Sequence, residues 1–279
     1  MRLSADAQAG QRSGLMARIH GSATVESGAE LADDVEIGAF SVVGAHVRID
    51  AGTRIGSHVI VTGHTRIGRD NRIFPFTTLG EIPQDKKYAG EPSELVIGDR
   101  NTIREFCSFN TGTAQGGGIT RVGSDNWIMA YVHLAHDCIV GNNTIFANNS
   151  QLAGHVEVGD WVILGGFTVV HQFVRLGAHS MTAMCSLLFA DVPPFVMCQG
   201  QPASARSMNF EGLRRRGFSP ERIAAVKAMH KALYREDLTL EAARARIALL
   251  SEQTPEAAAD VTMMLSFLDH GSPQRGIVR

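Results

Sequence analysis

The chain lacks most of the features that would assign it at a glance. Its 26 Lys and Arg against 28 Asp and Glu leave a net charge of −2, so there is no basic surplus to neutralise phosphates, and no nucleic-acid partner is expected. No run approaches the roughly 20 apolar residues of a membrane span, which argues against an integral membrane segment. Met1 to Arg18 carries Asp6 and Arg12 and has no apolar signal-peptide core, which points to the cytoplasm. The 4 cysteines, at 107, 138, 185 and 198, form no C-x-x-C pair, so neither a zinc site nor a disulfide framework is suggested. Only 3 Tyr and 2 Trp are present among 279 residues, whereas 29 glycines with many Val, Ile and Thr favour turns and strands over a helical bundle.

What the chain does have is a repeat. Ile19, Val25, Leu31, Ile37, Val43, Ile49, Ile55, Val61, Ile67, Ile73 and Leu79 fall on a strict period of six. The phase resumes at Ile97, Ile103 and Phe109, slips by one across a Gly-rich segment, and runs again from Val122 through Ile128, Leu134, Val140, Phe146, Leu152, Val158, Leu164 and Val170 to Leu176. With 44% of residues apolar, 24 apolar sites in preselected phases arise by chance on the order of 10⁻⁹ of the time. Two residues before these sites lies a second column of small or β-branched residues, among them Ser41, Thr53, Thr65, Thr77, Cys107, Cys138, Thr144 and Thr168. Glycine often follows the large site, as at Gly38, Gly56, Gly98, Gly123 and Gly141, where a backbone corner is expected to want it.

A period of six fits neither a helix nor a plain strand, but it fits a short strand plus a corner, repeated as the sides of a coil. This pattern resembles the hexapeptide β-helix family. That resemblance implies three sides per coil, left-handed winding and homotrimers. The expected organisation is an N-terminal extension (1–18), a mainly β, left-handed parallel β-helix (19–190) with protruding loops near 80–95 and 111–120, and a C-terminal α-helical domain (191–279). Ser219-Pro220-Glu221 predicts a helix running to Tyr234, and Thr239 and Thr254-Pro255 mark two further starts.

Four histidines, His133, His136, His155 and His171, occur in the second repeat run, none in an inward column. A coil of 18 residues puts His155 and His171 within one position of vertical register with His136, so these three are expected to climb one outer wall. Two chemistries suit such a wall. Three imidazoles can hold zinc and activate a water, or one histidine can deprotonate a nucleophile that attacks a thioester.

The blocks Gln84-Asp85-Lys86-Lys87-Tyr88-Ala89-Gly90-Glu91-Pro92, His133-Leu134-Ala135-His136-Asp137-Cys138, Leu152-Ala153-Gly154-His155, His171-Gln172-Phe173, Asp191-Val192-Pro193-Pro194 and Glu211-Gly212-Leu213-Arg214-Arg215-Arg216-Gly217-Phe218-Ser219 are more specific. In this order they closely resemble the acyl-carrier-protein:UDP-N-acetylglucosamine O-acyltransferases. The resemblance implies the first step of lipid A assembly, transfer of a 3-hydroxyacyl chain from acyl carrier protein to the glucosamine 3-position of UDP-N-acetylglucosamine, with no metal or organic cofactor. It implies His136 as general base, Asp137 as its support and Gly154 as oxyanion donor. It further implies substrate contacts from Asp85, Lys87, His133, His155, His171 and Gln172, and a nucleotide end formed by Asn209, Glu211, Arg215 and Arg216. Met184 takes the position that floors the acyl groove in relatives, which predicts shorter chains. Where many relatives carry His-Arg before Gly-Thr, the sequence reads Asn110-Thr111, so charge is lost near the site and a 3-amino acceptor, giving an amide, is the neighbouring reading. The principal rival is a zinc enzyme of the γ-class carbonic anhydrase type.

Overall fold

The computed structural model describes residues 16–271 and 275–279; most of the N-terminal extension lies outside them. The chain winds as a left-handed parallel β-helix whose three walls, among the described residues, are sheets of 11, 9 and 8 strands. Every third strand pairs with its successor one coil on, Arg54–Ile55 on Arg72–Ile73 and His133–Leu134 on Gln151–Leu152, so the wall strands stack in parallel register. In chain order the walls are named here the first (11 strands), second (9) and third (8).

The period-six residues point inward, with Val43, Val61, Leu79, Ile103, Leu134, Leu152 and Leu164 wholly buried. The smaller column is buried beside them, and its hydroxyls return hydrogen bonds to backbone carbonyls, as Ser41 does to Gly56 and Thr53 to Gly68. The column begins less well: Ile19 is 46% exposed and Val25 and Leu31 only partly buried.

Glycine after the large site has a different cause from the one the sequence suggests. The left-handed corner residue lies two positions further on, and it is usually not glycine: Phe40, His58, Asp137, His155 and Trp161 all have φ near +60°. At the glycines themselves the next coil passes too close for a side chain. A Cβ at Gly123 would meet the Gly141 carbonyl oxygen at 2.5 Å, and one at Gly38 the Gly56 backbone at 2.6 Å.

Both loops leave the stack with the flanking coils still in register, apart from a local irregularity between Leu79 and Glu81. Ile67 pairs with Ile97, and Phe109 with Leu134, so each insertion is absorbed between strands that still fall into register. Past the last regular strand, Leu187–Leu188, helix does not follow at once. Val196–Gly200 pairs in parallel with Met181–Thr182 and turns back antiparallel as Ala203–Met208, extending the first wall and covering its end. Helices begin at α1 (Phe210–Arg215) and continue through α2 (Pro220–Tyr234), α3 (Leu240–Ala248), α4 (Leu250–Gln253) and α5 (Ala258–Asp269). Ser219 and Thr239 cap α2 and α3, each accepting from the amide three residues on.

The helical segment docks on the corner between the third and first walls. There His179 stacks on Phe195 and meets Phe218 edge-on at 5.2 Å, and its Nδ1 accepts from the Arg216 guanidinium at 3.1 Å. Burial first, and the Arg216 charge second, push the His179 pKa down to about 4. In the unfolded chain the imidazole has its ordinary value of about 6.5, so as pH falls through 6.5 the unfolded state takes up a proton that the folded state refuses until about 4. The contribution is therefore complete above about pH 6.5 and is lost on descending to about 4. Melting curves across this range should show the loss, and His179→Gln should flatten it; equal pH dependence in both proteins would refute the assignment.

Candidate functional site

An open pocket of about 870 Å³ lies on the corner between the second and third walls. The first loop covers it with Gln84, Asp85, Lys86 and Lys87, and the second contributes Gln115. The solenoid supplies the floor: His133, His136, Gly154, His155, Gln172 and Phe173. The coil repeat brings these together, since the His155 amide bonds to the His136 carbonyl and the Phe173 amide to that of Gly154. His136, Gly154 and Gln172 thus form one column and Asp137, His155 and Phe173 the adjacent one.

Asp137 anchors the site. Its side chain is 1% exposed, and Oδ2 lies 2.8 Å from Nδ1 of His136, itself mostly buried. The same oxygen is 3.7 Å from Nε2 of His155, whose ring stands edge-on to His136 and stacks on Phe173 at 4.3 Å. With Nδ1 of His136 directed at a carboxylate, Nε2 is the nitrogen left to act on a ligand. Gly154 sits under that ring. A Cβ there would come within 2.5 Å of Cε1 and 2.7 Å of Nε2, so only glycine lets the imidazole lie across the backbone. The Gly154 N–H donates no hydrogen bond among the described residues.

At the neighbouring histidines burial disfavours the charged form. His133 Nδ1 contacts Ser108 Oγ at 2.8 Å, and burial lowers its pKa. Burial likewise lowers that of His155, against the opposing pull of Asp137. The two loops are pinned at their bases: Glu91 accepts from the amides of Ala89 and Ala114, the first bond chiefly holding its carboxyl below the usual range.

Several residues expected at the site lie elsewhere in this chain. His171 faces away from the pocket, accepting from Arg275 at 3.0 Å and packing against Phe189. The trio His136, His155 and His171 therefore does not converge. The donors that do approach within 4.8 Å of one another, as a metal would need, belong to His136, Asp137 and His155, and Asp137 already receives other donors. Asn209 is buried and caps α1 through the Gly212 amide. Arg216 lies at the third-to-first corner, bonding His179 and the Trp161 carbonyl. Glu211 and Arg215 form an exposed pair on α1, at 3.0 Å. Met184, 69% exposed, lies on the corner between the first and second walls. Asn110 and Thr111, where charge was expected to be missing, are both buried: the Asn110 amide bonds the Ile82 carbonyl, and Thr111 receives Ser93. Sequence reasoning missed Thr113, Gln115 and Phe173; only the alternation of loop and coil could have suggested them.

Comparison with known proteins gives a consistent picture. Residues 191–278 match the family described as Udp N-acetylglucosamine O-acyltransferase, domain 2, and residues 119–154 match the bacterial transferase hexapeptide, six repeats. A curated acyl-carrier-protein:UDP-N-acetylglucosamine O-acyltransferase from Albidiferax ferrireducens is 73% identical over 264 residues, covering 95% of this chain and 100% of that one. One of the same description from Thiobacillus denitrificans is 61% identical over 266 residues, again covering 95% and 100%. Among solved structures, the UDP-N-acetylglucosamine acyltransferase of Francisella novicida superposes with a TM-score of 0.89 at 38% identity, covering 94% of each chain. The Acinetobacter baumannii protein does so at 0.88 and 42%, covering 94% of this chain and 99% of its own.

Gly154→Ala tests the geometry directly. The added methyl must push the His136 ring off Asp137, so turnover should fall about a hundredfold while the melting temperature stays nearly constant. Retained turnover with the ring still on Asp137 in a crystal structure of the variant would contradict this account of Gly154.

Proposed function

Because the chain belongs to the acyl-carrier-protein:UDP-N-acetylglucosamine O-acyltransferases of lipid A biosynthesis, we propose that it transfers a 3-hydroxyacyl chain from acyl carrier protein to the glucosamine 3-hydroxyl of UDP-N-acetylglucosamine, with His136 as general base. The observation that carries the reading is the 2.8 Å contact between His136 Nδ1 and the buried Asp137 carboxylate. It fixes the proton on Nδ1 and leaves the Nε2 lone pair for the substrate hydroxyl. As Nε2 takes that proton, the sugar oxygen forms a bond to the thioester carbonyl carbon. The carbonyl oxygen gains the charge, and the Gly154 N–H is its donor. When the intermediate collapses, the carbon–sulfur bond breaks and His136 returns the proton to the departing thiolate. Asp137 balances the imidazolium that exists in between. Asp85 and Lys87 overhang this column from the first loop, and His133, whose charged form burial disfavours, adds a polar contact.

The remaining expected contacts lie on the other two corners of the same prism: Arg216 on the third-to-first and Met184 on the first-to-second. A single pocket that uses all three sets draws them from neighbouring copies, which supports a homotrimer in which each site is shared. Asn209, Glu211, Arg215 and Arg216 then form the nucleotide end of a neighbour's pocket, while Gln172 lines the chain's own and His171 lies outside it. No helix among the described residues is long and apolar enough to cross a membrane; we place the reaction in the cytoplasm, with the carrier protein.

Acyl transfer from a panel of 3-hydroxyacyl carrier proteins to UDP-N-acetylglucosamine and to its 3-amino analogue tests the reading. The hydroxyl acceptor should be used, and His136→Ala should reduce turnover by roughly 10²- to 10⁴-fold; no transfer to either acceptor overturns it. In the same panel, Met184 should favour donors of about ten to twelve carbons, because its side chain occupies the space a longer chain needs. Met184→Gly should raise the fourteen-carbon donor about tenfold relative to the shorter ones, and an unchanged ranking would discard the role of this methionine.

A further inference from the structure

The buried carboxylate beside His136 is held from the second loop, by a residue that does not line the pocket. Thr113 is 1% exposed, and it meets Asp137 twice: its N–H donates to Oδ1 at 2.8 Å and its hydroxyl to Oδ2 at 2.6 Å. Oδ2 is also the oxygen that faces His136 Nδ1, so the threonine hydroxyl and the imidazole share one acceptor. The threonine is itself fixed. Its carbonyl accepts from the amides of Gly116 and Gly118, at 3.0 and 2.7 Å, closing the loop into a tight turn. Gly116 presses that turn on the carboxylate so closely that a Cβ there would lie 2.1 Å from Asp137 Cγ. Thr120, where the chain rejoins the solenoid, accepts the Asp137 amide at 2.8 Å.

A carboxylate with 1% of its side chain exposed has lost its water, and an ionised group in that position persists only with donors in the water's place. Thr113 supplies two of these and His136 the third. The two threonine bonds also fix the plane of the carboxylate, and with it the direction in which Oδ2 meets the imidazole. We propose that Thr113 is the positioning residue of the His136–Asp137 pair: the second loop exists to deliver its N–H and hydroxyl to Asp137, and the pair is set for proton transfer only when that loop is closed. The proposal rests on the general-base reading of His136.

Removing the hydroxyl leaves Oδ2 with the imidazole alone, so the pair binds its proton more readily and the working form is populated only at higher pH. The titratable and charged groups facing this carboxylate are His136 and His155 on the solenoid, with His133 beside His136 and Asp85 beyond them on the first loop. All of them remain in place in a Thr113 variant.

The experiment compares Thr113→Val and Thr113→Ser with the unaltered full-length enzyme, using purified 3-hydroxyacyl carrier protein and UDP-N-acetylglucosamine. Thr113→Val should lower kcat about ten- to a hundredfold, leave KM for both substrates nearly unchanged, and move the acid limb of the pH–rate profile to higher pH. Thr113→Ser, which keeps the N–H and the hydroxyl, should restore both rate and profile to within about threefold. If valine is not accommodated, as judged by melting, Thr113→Ala replaces it, because it only removes atoms. A valine or alanine variant with the original kcat and acid limb overturns the proposal, as does a serine variant that fails as badly while remaining folded. His136→Ala, run alongside, separates the two levels. If it is inactive while Thr113→Val is normal, only the role of Thr113 falls, whereas an active His136→Ala removes the general-base reading itself.

Discussion

Parallel strands one coil apart must pair backbone to backbone, and that spacing, about 4.8 Å, governs almost everything else in the molecule. It makes the interior a stack of layers in which each large aliphatic residue rests on its counterpart eighteen positions away. It forbids a side chain where two coils run closest, which is why Gly38 and Gly123 are glycines although their backbone angles would suit other residues. It also forces a left-handed corner at regular intervals, and the corners become columns of stacked side chains: Phe76 on Phe106 at 5.0 Å, Phe106 on Tyr131 at 4.8 Å, His155 on Phe173 at 4.3 Å. The candidate site lies on one of these edges, where the coil repeat rather than a cleft brings His136 and His155 side by side.

A regular wall cannot enclose a substrate or desolvate a charge, and the two loops make up the deficit. The second buries Asp137 under a glycine-rich turn while replacing its water with donors from Thr113. The first overhangs the pocket with Asp85 and Lys87 and is tied to the second through Glu91, whose two oxygens receive Ala89 and Ala114. The loops thereby act as one cover on a rigid floor. Rigidity in the floor matters because the His136 ring has little slack between Asp137 on one side and the Gly154 backbone beneath it.

The parts of this arrangement that were legible in the sequence are those written by the coil. Leu134, Leu152 and Val170 announce an inward column by periodicity alone, and counting eighteen from His136 reaches Gly154 directly. The register was less forgiving for His171. One position off the column is enough to turn it out of the pocket toward Arg275, because neighbouring residues at a corner point in different directions. Ile19 obeys the repeat and is still 46% exposed, since periodicity encodes direction and not depth of burial. Thr113 was illegible for a different reason: inside an insertion no period applies, and its partner is twenty-four residues away.

The same reasoning bears on the residues that the family pattern supplied and this chain scatters. Arg216 and Asn209 are pattern matches, yet in one chain both have structural work, Arg216 against His179 and Trp161 and Asn209 as the cap of α1. A guanidinium has five donors, and the bonds to His179 and Trp161 engage only Nη1 and Nη2. Arg216 therefore holds the helical segment on the prism with N–H groups to spare. Under the function proposed above, the docking corner and the nucleotide end coincide. In the homotrimer proposed above, the seating of the helices on one solenoid would therefore help set where the nucleotide end meets a neighbour's pocket.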